Sequence, residues 1–281
     1  MNLRDKITFV IFTFNEAARV ERAVRNFAPY GQVLVVDNCS TDATAELAVA
    51  AGARVLRRQN PGWVEDEGTV AAVKAAVSTP WIYWGYSDEI VDRDTMAALH
   101  EAIEDGRYSI VNIARKNYFY GRFVADAYRN TMNRAFLKDA IDFTGNTIHD
   151  FGRVTVLPER IKALDPDRYF VHHFISNTAK SYMHTLDGYT DIEASHAPFK
   201  SPPAMLLEML KDFVANYFLR GGRRAGRAGF YLAMSMLYYR LLLTMKVYER
   251  EQGLTRSSIE DRNNVVRDRL LADLERHPDA P

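Results

Sequence analysis

Residues 33–48 read VLVVDNCSTDATAELA. Four apolar, mostly β-branched residues stop at Asp37. The turn-forming and helix-capping residues Asn38, Ser40, Thr41 and Asp42 follow. Ala43 to Ala51 then carries a helical pattern that Gly52 ends. A strand whose carboxyl end turns directly into a helix is half of a β-α-β unit, and the flanking sequence repeats it. Before it, Ile7–Phe12 is a β-rich apolar run, and Asn15 and Glu16 open a helical stretch to about Phe27. After it come a short strand at Arg54–Leu56, a helix at Gly68–Ala76 and a strand at Trp81–Tyr86, with Pro80 at its entry. This alternation predicts an α/β fold: right-handed crossovers and a mostly parallel sheet flanked by helices. Ligands of such sheets sit beyond the carboxyl ends of the strands. Three polar clusters fall there: Thr13–Glu16, Asp37–Asp42 and Ser87–Glu89.

Met96–Glu104 reads as helix and Tyr108–Ile113 as strand; residues 117–158 mix short aromatic strands with turns. The character then changes. Pro202 and Pro203 precede a helical stripe over Ala204–Leu219, the turn RGGRRAGRAG follows, and helical patterns cover Phe230–Glu251 and residues 262–275. The expected organisation is a core over residues 1–200 and a helical C-terminal extension over 201–281. The 281 residues are 47% hydrophobic and carry 36 basic and 36 acidic side chains, so global attraction to nucleic acid is not indicated. A single cysteine, Cys39, excludes an intramolecular disulfide framework and a multi-cysteine metal site. The N-terminal apolar run is too short for a signal sequence, which predicts a cytoplasmic start. The late apolar stretch GFYLAMSMLYYRLLLTMKVYE has Arg240 at its middle and falls short of a spanning helix.

Asp37, at the end of a buried strand, is a candidate to accept hydrogen bonds from a bound base or ribose; the plainer reading is a turn residue ahead of a helix cap. No GxGxxG follows the first strand, which weakens a dinucleotide site. Asp88 at a later strand end is a candidate ligand for Mg²⁺ or Mn²⁺ bridging phosphates, against the plainer reading of solvated loop charge. Adjacent residues of an extended segment point opposite ways, so Glu89 need not share a ligand shell with Asp88. His172 and His173 are expected on opposite faces, one of them a candidate metal or phosphate contact; structural hydrogen bonding is the alternative. Asp150, next to His149 between glycine turns, is a candidate loop base. Arg220, Arg223, Arg224 and Arg227 form a basic turn that could face anionic lipid, a phosphate-bearing acceptor or plain solvent.

Taken together, FTFNEAARVERAV at 12–24, VLVVDNCSTDATAELA at 33–48, SDE at 87–89, GNTIHD at 145–150 and the later HH, GYTDIEA and GFYLA stretches resemble the family 2 inverting glycosyltransferases of GT-A fold. More narrowly, they resemble the bacterial branch acting on the lipopolysaccharide core and related envelope glycans. The resemblance implies a nucleoside-diphosphate-sugar donor, commonly UDP-linked, and a glycan or glycolipid acceptor. Phe14, Asn15 and Glu16 would flank the nucleotide and Asp37 would contact its base. Asp88 falls on the second aspartate of the family's Asp-X-Asp-Glu motif, meeting the divalent ion and the diphosphate. Asp150 falls on the acidic position of the His-Glu pair, the general base. His172 or His173 would stand on the metal side. The departure is Tyr86, which stands where the first aspartate is usual; its hydroxyl can bond ribose or phosphate but brings no charge at neutral pH.

Other classes remain at this level. A nucleotide-sugar binder without transfer would follow from Tyr86. A nucleotidyltransferase lacks its glycine-rich basic loop here. A purely structural protein leaves three polar strand ends unexplained. Peripheral contact with the inner face of the cytoplasmic membrane and homo-oligomerisation are further expectations.

Overall fold

The computed structural model describes residues 5–60, 66–123, 129–146, 151–175 and 178–276. Among these, twelve strands and eight α-helices follow one another as β1 (Ile7–Thr13), α1 (Val20–Phe27), β2 (Gln32–Asp37), α2 (Thr44–Ala50), β3 (Arg54–Arg57), α3 (Glu67–Ala76), β4 (Trp81–Tyr86), β5 (Glu89–Val91), α4 (Arg93–Asp105), β6 (Ile110–Phe119), β7 (Arg122–Phe123), β8 (Asn130–Leu137), β9 (Ile141–Asp142), β10 (Arg153–Val154), β11 (Ile161–Ala163), β12 (Phe170–Phe174), α5 (Ala179–Ala194), α6 (Pro202–Phe213), α7 (Gly226–Glu251) and α8 (Arg256–Arg276).

The main sheet runs β3-β2-β1-β4-β8-β6-β12-β5, with β7 and β11 added on β6. The first four strands in this order are parallel, as the β-α-β alternation predicts. Beyond β4 the sheet is mixed: β8 runs antiparallel to β4 and β6, while β12 runs parallel to β6 and antiparallel to β5. β1 and β4 are central and buried on both faces, which is why they read as unbroken apolar runs. On one face Phe9, Phe27 and Tyr83 stack between β1, α1 and β4; on the other Trp84, Phe136, Phe143 and Phe151 pack together.

The helix after β1 begins at Val20, five residues later than the pattern from Asn15 suggests. Asn15 adopts a left-handed φ of 55°, and the N–H groups of Asn15, Glu16 and Ala17 donate to Ser40 Oγ, Thr44 Oγ1 and Asp42 Oδ2 rather than to a helix. Helices α3 and α4 start on the carboxylates of Asp66 and Asp92, each accepting from the N–H three residues on.

Two compact units can be drawn: Met1–Ala179 with Ala215–Leu232, and Lys180–Val214 with Ala233–Pro281. The first contains the sheet. The second is helical and is held by polar pins around a small apolar cluster of Ala194, Leu243 and Val247. Lys246 bonds Asp187 and Asp191, and Arg240 bonds Asp212. Arg250 donates to the carbonyls of Ala194 and Ala197, a cation placed at the carboxyl end of α5. No helix among the described residues is long and apolar enough to cross a membrane.

Candidate active site

The carboxyl ends of β1, β2 and β4 lie side by side, with Thr13 registered on Asp37 and Phe12 on Tyr86. The first two ends are stitched together by side chains. Asn15 Oδ1 accepts from Thr41 N at 2.9 Å, while Asn15 N donates to Ser40 Oγ at 2.8 Å. Asp37 is fully buried; its oxygens accept from Ser40 N at 3.2 Å and from Ser40 Oγ, and Arg57 Nε stands 3.6 Å away. The carboxylate thus fixes the turn from within. Phe14 is 40% exposed at the head of the same turn, and Glu16 is paired with Arg19.

At the end of β4 the two adjacent carboxylates part company. Asp88 keeps an edge to solvent, and its Oδ2 lies 3.2 Å from His173 Nε2. His173 Nδ1 in turn lies 2.7 Å from Asn117 Oδ1. An amide oxygen at Nδ1 can accept from the ring there, which turns Nε2 toward the Asp88 carboxylate. Burial pushes the Asp88 carboxyl upward, but the His173 bond and the positive charges of His173, Arg19 and Arg115 outweigh it and hold it below the usual carboxylate range.

Glu89 is wholly buried. Arg134 grips it with two bonds of 2.6 and 2.9 Å, Arg115 adds a third at 2.8 Å, and Tyr86 N donates a fourth at 3.2 Å. Arg134 also donates to Trp84 O at 3.0 Å. The Tyr86 ring lies 5.8 Å from the Arg115 guanidinium carbon and 5.9 Å from that of Arg134. Glu89 is therefore a clamp joining β4, β5, β6 and β8, and Asp88 alone of the pair faces outward.

The two histidines lie on opposite faces of β12. His173 joins Asp88 and Asn117; His172 bonds the Tyr118 hydroxyl at 2.9 Å and faces Asp92 at 3.4 Å. Burial holds the His172 imidazole below its ordinary value, against the opposing pull of Asp92. The structure thus brings Phe14, Asn15 and Asp37 together, and separately Tyr86, Asp88 and His173, while His172 belongs to the far face.

His149 and Asp150 lie outside the described residues. Among the described residues on either side, Gly152 N donates to Asn146 Oδ1 at 2.9 Å, and Phe143 and Phe151 both pack on Trp84. Gly152 has φ 61°, and a Cβ there would fall 2.6 Å from Ile141 and 2.8 Å from the Asp142 carbonyl, so position 152 requires glycine.

The residues Arg115, Asn117 and Arg134 carried no signal in the sequence. They reach the site through the pairing of β6 with β8, across 15 to 26 residues, and with β12, across 56, a register that no local pattern displays. Among the described residues, no group of three or more His, Cys, Asp and Glu side chains is arranged to hold a metal ion.

The glycosyl transferase family 2 model matches residues 8–157, more than half of the chain. An uncharacterized glycosyltransferase of Rickettsia bellii (strain RML369-C) is 27% identical over 267 residues, covering 88% of this chain and 87% of that protein. Among solved structures, S. aureus TarS 1–349 is similar over 89% of this chain and 93% of its own, at 12% identity and a TM-score of 0.46. The longer TarS chain is covered over 44% of its length. The mannosyltransferase PcManGT of Pyrobaculum calidifontis is similar over 90% of this chain and 88% of its own, at 14% identity and a TM-score of 0.47.

Proposed function

Because the chain belongs to glycosyl transferase family 2, we propose that its strand-end site binds a nucleoside-diphosphate sugar and transfers the sugar, with inversion, to a hydroxyl of a glycan or glycolipid. The observation that carries this reading is the separation of Asp88 from Glu89. One carboxylate of the pair is consumed by the fold, and the other is held ionised at the open end of the sheet beside an imidazole.

The nucleoside lies against Phe14 and the Asn15–Ser40–Thr41 turn, which Asp37 braces from inside; UDP is the nucleotide that the resemblance favours. Tyr86 presents a neutral hydroxyl toward ribose or phosphate. The acceptor oxygen attacks the anomeric carbon from the side opposite the phosphate. The carbon–oxygen bond to the nucleoside diphosphate breaks, its electron pair leaves with the phosphate, and the acceptor proton passes to a carboxylate. Asp150 is the base by its place in the family motif.

The donor set suits a divalent ion of a particular kind. One carboxylate and one imidazole 3.2 Å apart are too few to cage an ion alone, but Mg²⁺ and Mn²⁺ sites of phosphate enzymes take few protein ligands and complete themselves with phosphate oxygens. Asp88 and His173 would hold such an ion, which would offset charge on the departing diphosphate. His172, on the opposite face, would not reach it.

The acceptor side is expected at an envelope surface. Residues 213–248 contain no Asp or Glu, and Arg220, Arg223, Arg224 and Arg227 are all exposed in a turn flanked by exposed Phe218, Leu219, Phe230 and Tyr231. Apolar side chains beside a run of exposed arginines suit the anionic inner face of a cytoplasmic membrane. Pelleting with vesicles containing phosphatidylglycerol, but not with phosphatidylcholine alone, is the expected result; equal pelleting would remove the charge argument.

The donor site is tested by titrating UDP with and without Mn²⁺ into the protein and into Asp88→Ala. The parent should bind more tightly with Mn²⁺, and the variant should lose that gain. Identical titrations would remove Asp88 from the site. Donor binding without any transfer would instead favour a binding protein on this scaffold.

A further inference from the structure

The clamp around Glu89 is out of balance. A single buried carboxylate meets two guanidinium groups, those of Arg134 and Arg115, and the ring of the uncharged Tyr86 lies 5.8 and 5.9 Å from the guanidinium carbons of Arg115 and Arg134. An aspartate at position 86 would have made the group neutral. With tyrosine there, the charge of Arg115 is answered not within the clamp but by the outward-facing Asp88, whose carboxyl it helps to hold ionised.

The two arginines are not equivalent. Arg134 is fully buried, with Glu89 and the Trp84 carbonyl as partners, and it alone suffices to balance Glu89. Arg115 retains about a sixth of its side-chain surface (15%) and gives Glu89 a single bond through Nη2. Among the described residues, its Nε–H is buried without an acceptor, as is that of Arg134, so the difference between the two lies in the exposed edge of Arg115. A desolvated cation with an unsatisfied donor is costly unless something else uses it. Register places Arg115 two residues before Asn117 on β6, hence on the face shared by Asn117, His173 and Glu89. That is the face on which Asp88 meets His173.

We infer that Arg115 is a binding residue for the diphosphate of the donor, supplying at the departing phosphate the positive charge that a metal ion supplies when two motif aspartates are present. The inference rests on the donor-site reading above. Its physical basis is preorganisation: a guanidinium already stripped of water and fixed by Glu89 gains more from a phosphate oxygen than a solvated one, and needs no rearrangement to meet it. A consequence is that nucleoside diphosphate binds appreciably even without a divalent ion.

The test is calorimetric titration of UDP, GDP and the corresponding nucleosides in EDTA and in Mn²⁺, using the full chain, Arg115→Gln and Arg115→Lys. In EDTA the parent should bind one of the diphosphates. Arg115→Gln should weaken that binding at least tenfold and leave nucleoside binding unchanged, while Arg115→Lys should recover part of the loss. Because Arg134 still balances Glu89, Arg115→Gln should melt close to the parent. A purely structural arginine would instead lower the melting temperature and weaken diphosphate and nucleoside alike. Diphosphate affinity in EDTA that is unchanged in Arg115→Gln would overturn the inference, as would a parent that binds diphosphate only with Mn²⁺. A parent that binds neither diphosphate under any condition would overturn the donor-site reading itself.

Discussion

Replacing Glu89 by Gln keeps the shape of the side chain and removes the charge that two buried arginines share. Arg134 has no exposed surface and depends on Glu89 for two of its hydrogen bonds. Breaking a buried pair by removing one partner costs about 3–5 kcal/mol, because the remaining charge is left desolvated. The Gln carbonyl can still accept one bond, and Arg115 can turn toward its exposed edge, so the lower end, about 3 kcal/mol, is expected. At about 2–4 °C per kcal/mol for a domain of this size, the melting temperature should fall by about 6–12 °C. Thermal unfolding followed by circular dichroism, with urea unfolding beside it, reads the change. Glu21→Gln is the control: Glu21 pairs with Arg25 across exposed helix surface, and its loss should stay within about 0.5 kcal/mol. If Glu89→Gln melted within about 2 °C of the parent, the clamp would not be structural, and Glu89 would return as a candidate ligand beside Asp88.

Asn117→Ala should leave the fold intact but free the His173 ring, so Mn²⁺-dependent tightening of UDP should fall by about 10–100-fold; an unchanged Mn²⁺ titration would show that the Asn117 bond does not orient the ring. Asp37→Asn should weaken UDP, UMP and uridine by similar factors, since it disturbs the turn under the nucleoside; a loss confined to UDP would place Asp37 near the phosphates instead. Burial is the chief cause that holds the His172 imidazole below its ordinary value of 6.5, so the unfolded chain binds its proton more readily. Its contribution to stability is therefore complete above about pH 6.5 and lost as the pH falls below it, and His172→Gln should flatten stability over that acid range. An unchanged pH profile would show that the histidine stays solvated.

The parallel half of the sheet was legible because β1, β2 and β4 are buried on both faces and each helix follows within a few residues. Local composition therefore carries the topology through Trp81–Tyr86. The mixed half was not. β5 is three residues long, and β6 extends to Phe119, well past the apolar run that ends at Ile113, because its outer residues are polar partners of β12 rather than core. α1 starts late because side chains from the next strand end take the N–H groups that would have opened it. For the site, period-two alternation was enough to separate His172 from His173, whereas Asp88 parts from Glu89 because it lies in the turn between β4 and β5. Which member of each pair faces the open end depends on Arg134, Arg115 and Asn117, all set by long-range register.

The central claim is that the ends of β1, β2 and β4 form a nucleotide-sugar site that works in transfer. Incubating the protein with a panel of UDP-, GDP- and other nucleotide-linked sugars, with and without Mn²⁺, and following sugar release and transfer by mass spectrometry tests it most directly. At least one donor should be consumed, with nucleoside diphosphate as the product and a rate that falls in Asp88→Ala. A panel in which every donor is returned intact under both conditions, or in which Asp88→Ala turns over as fast as the parent, would contradict it.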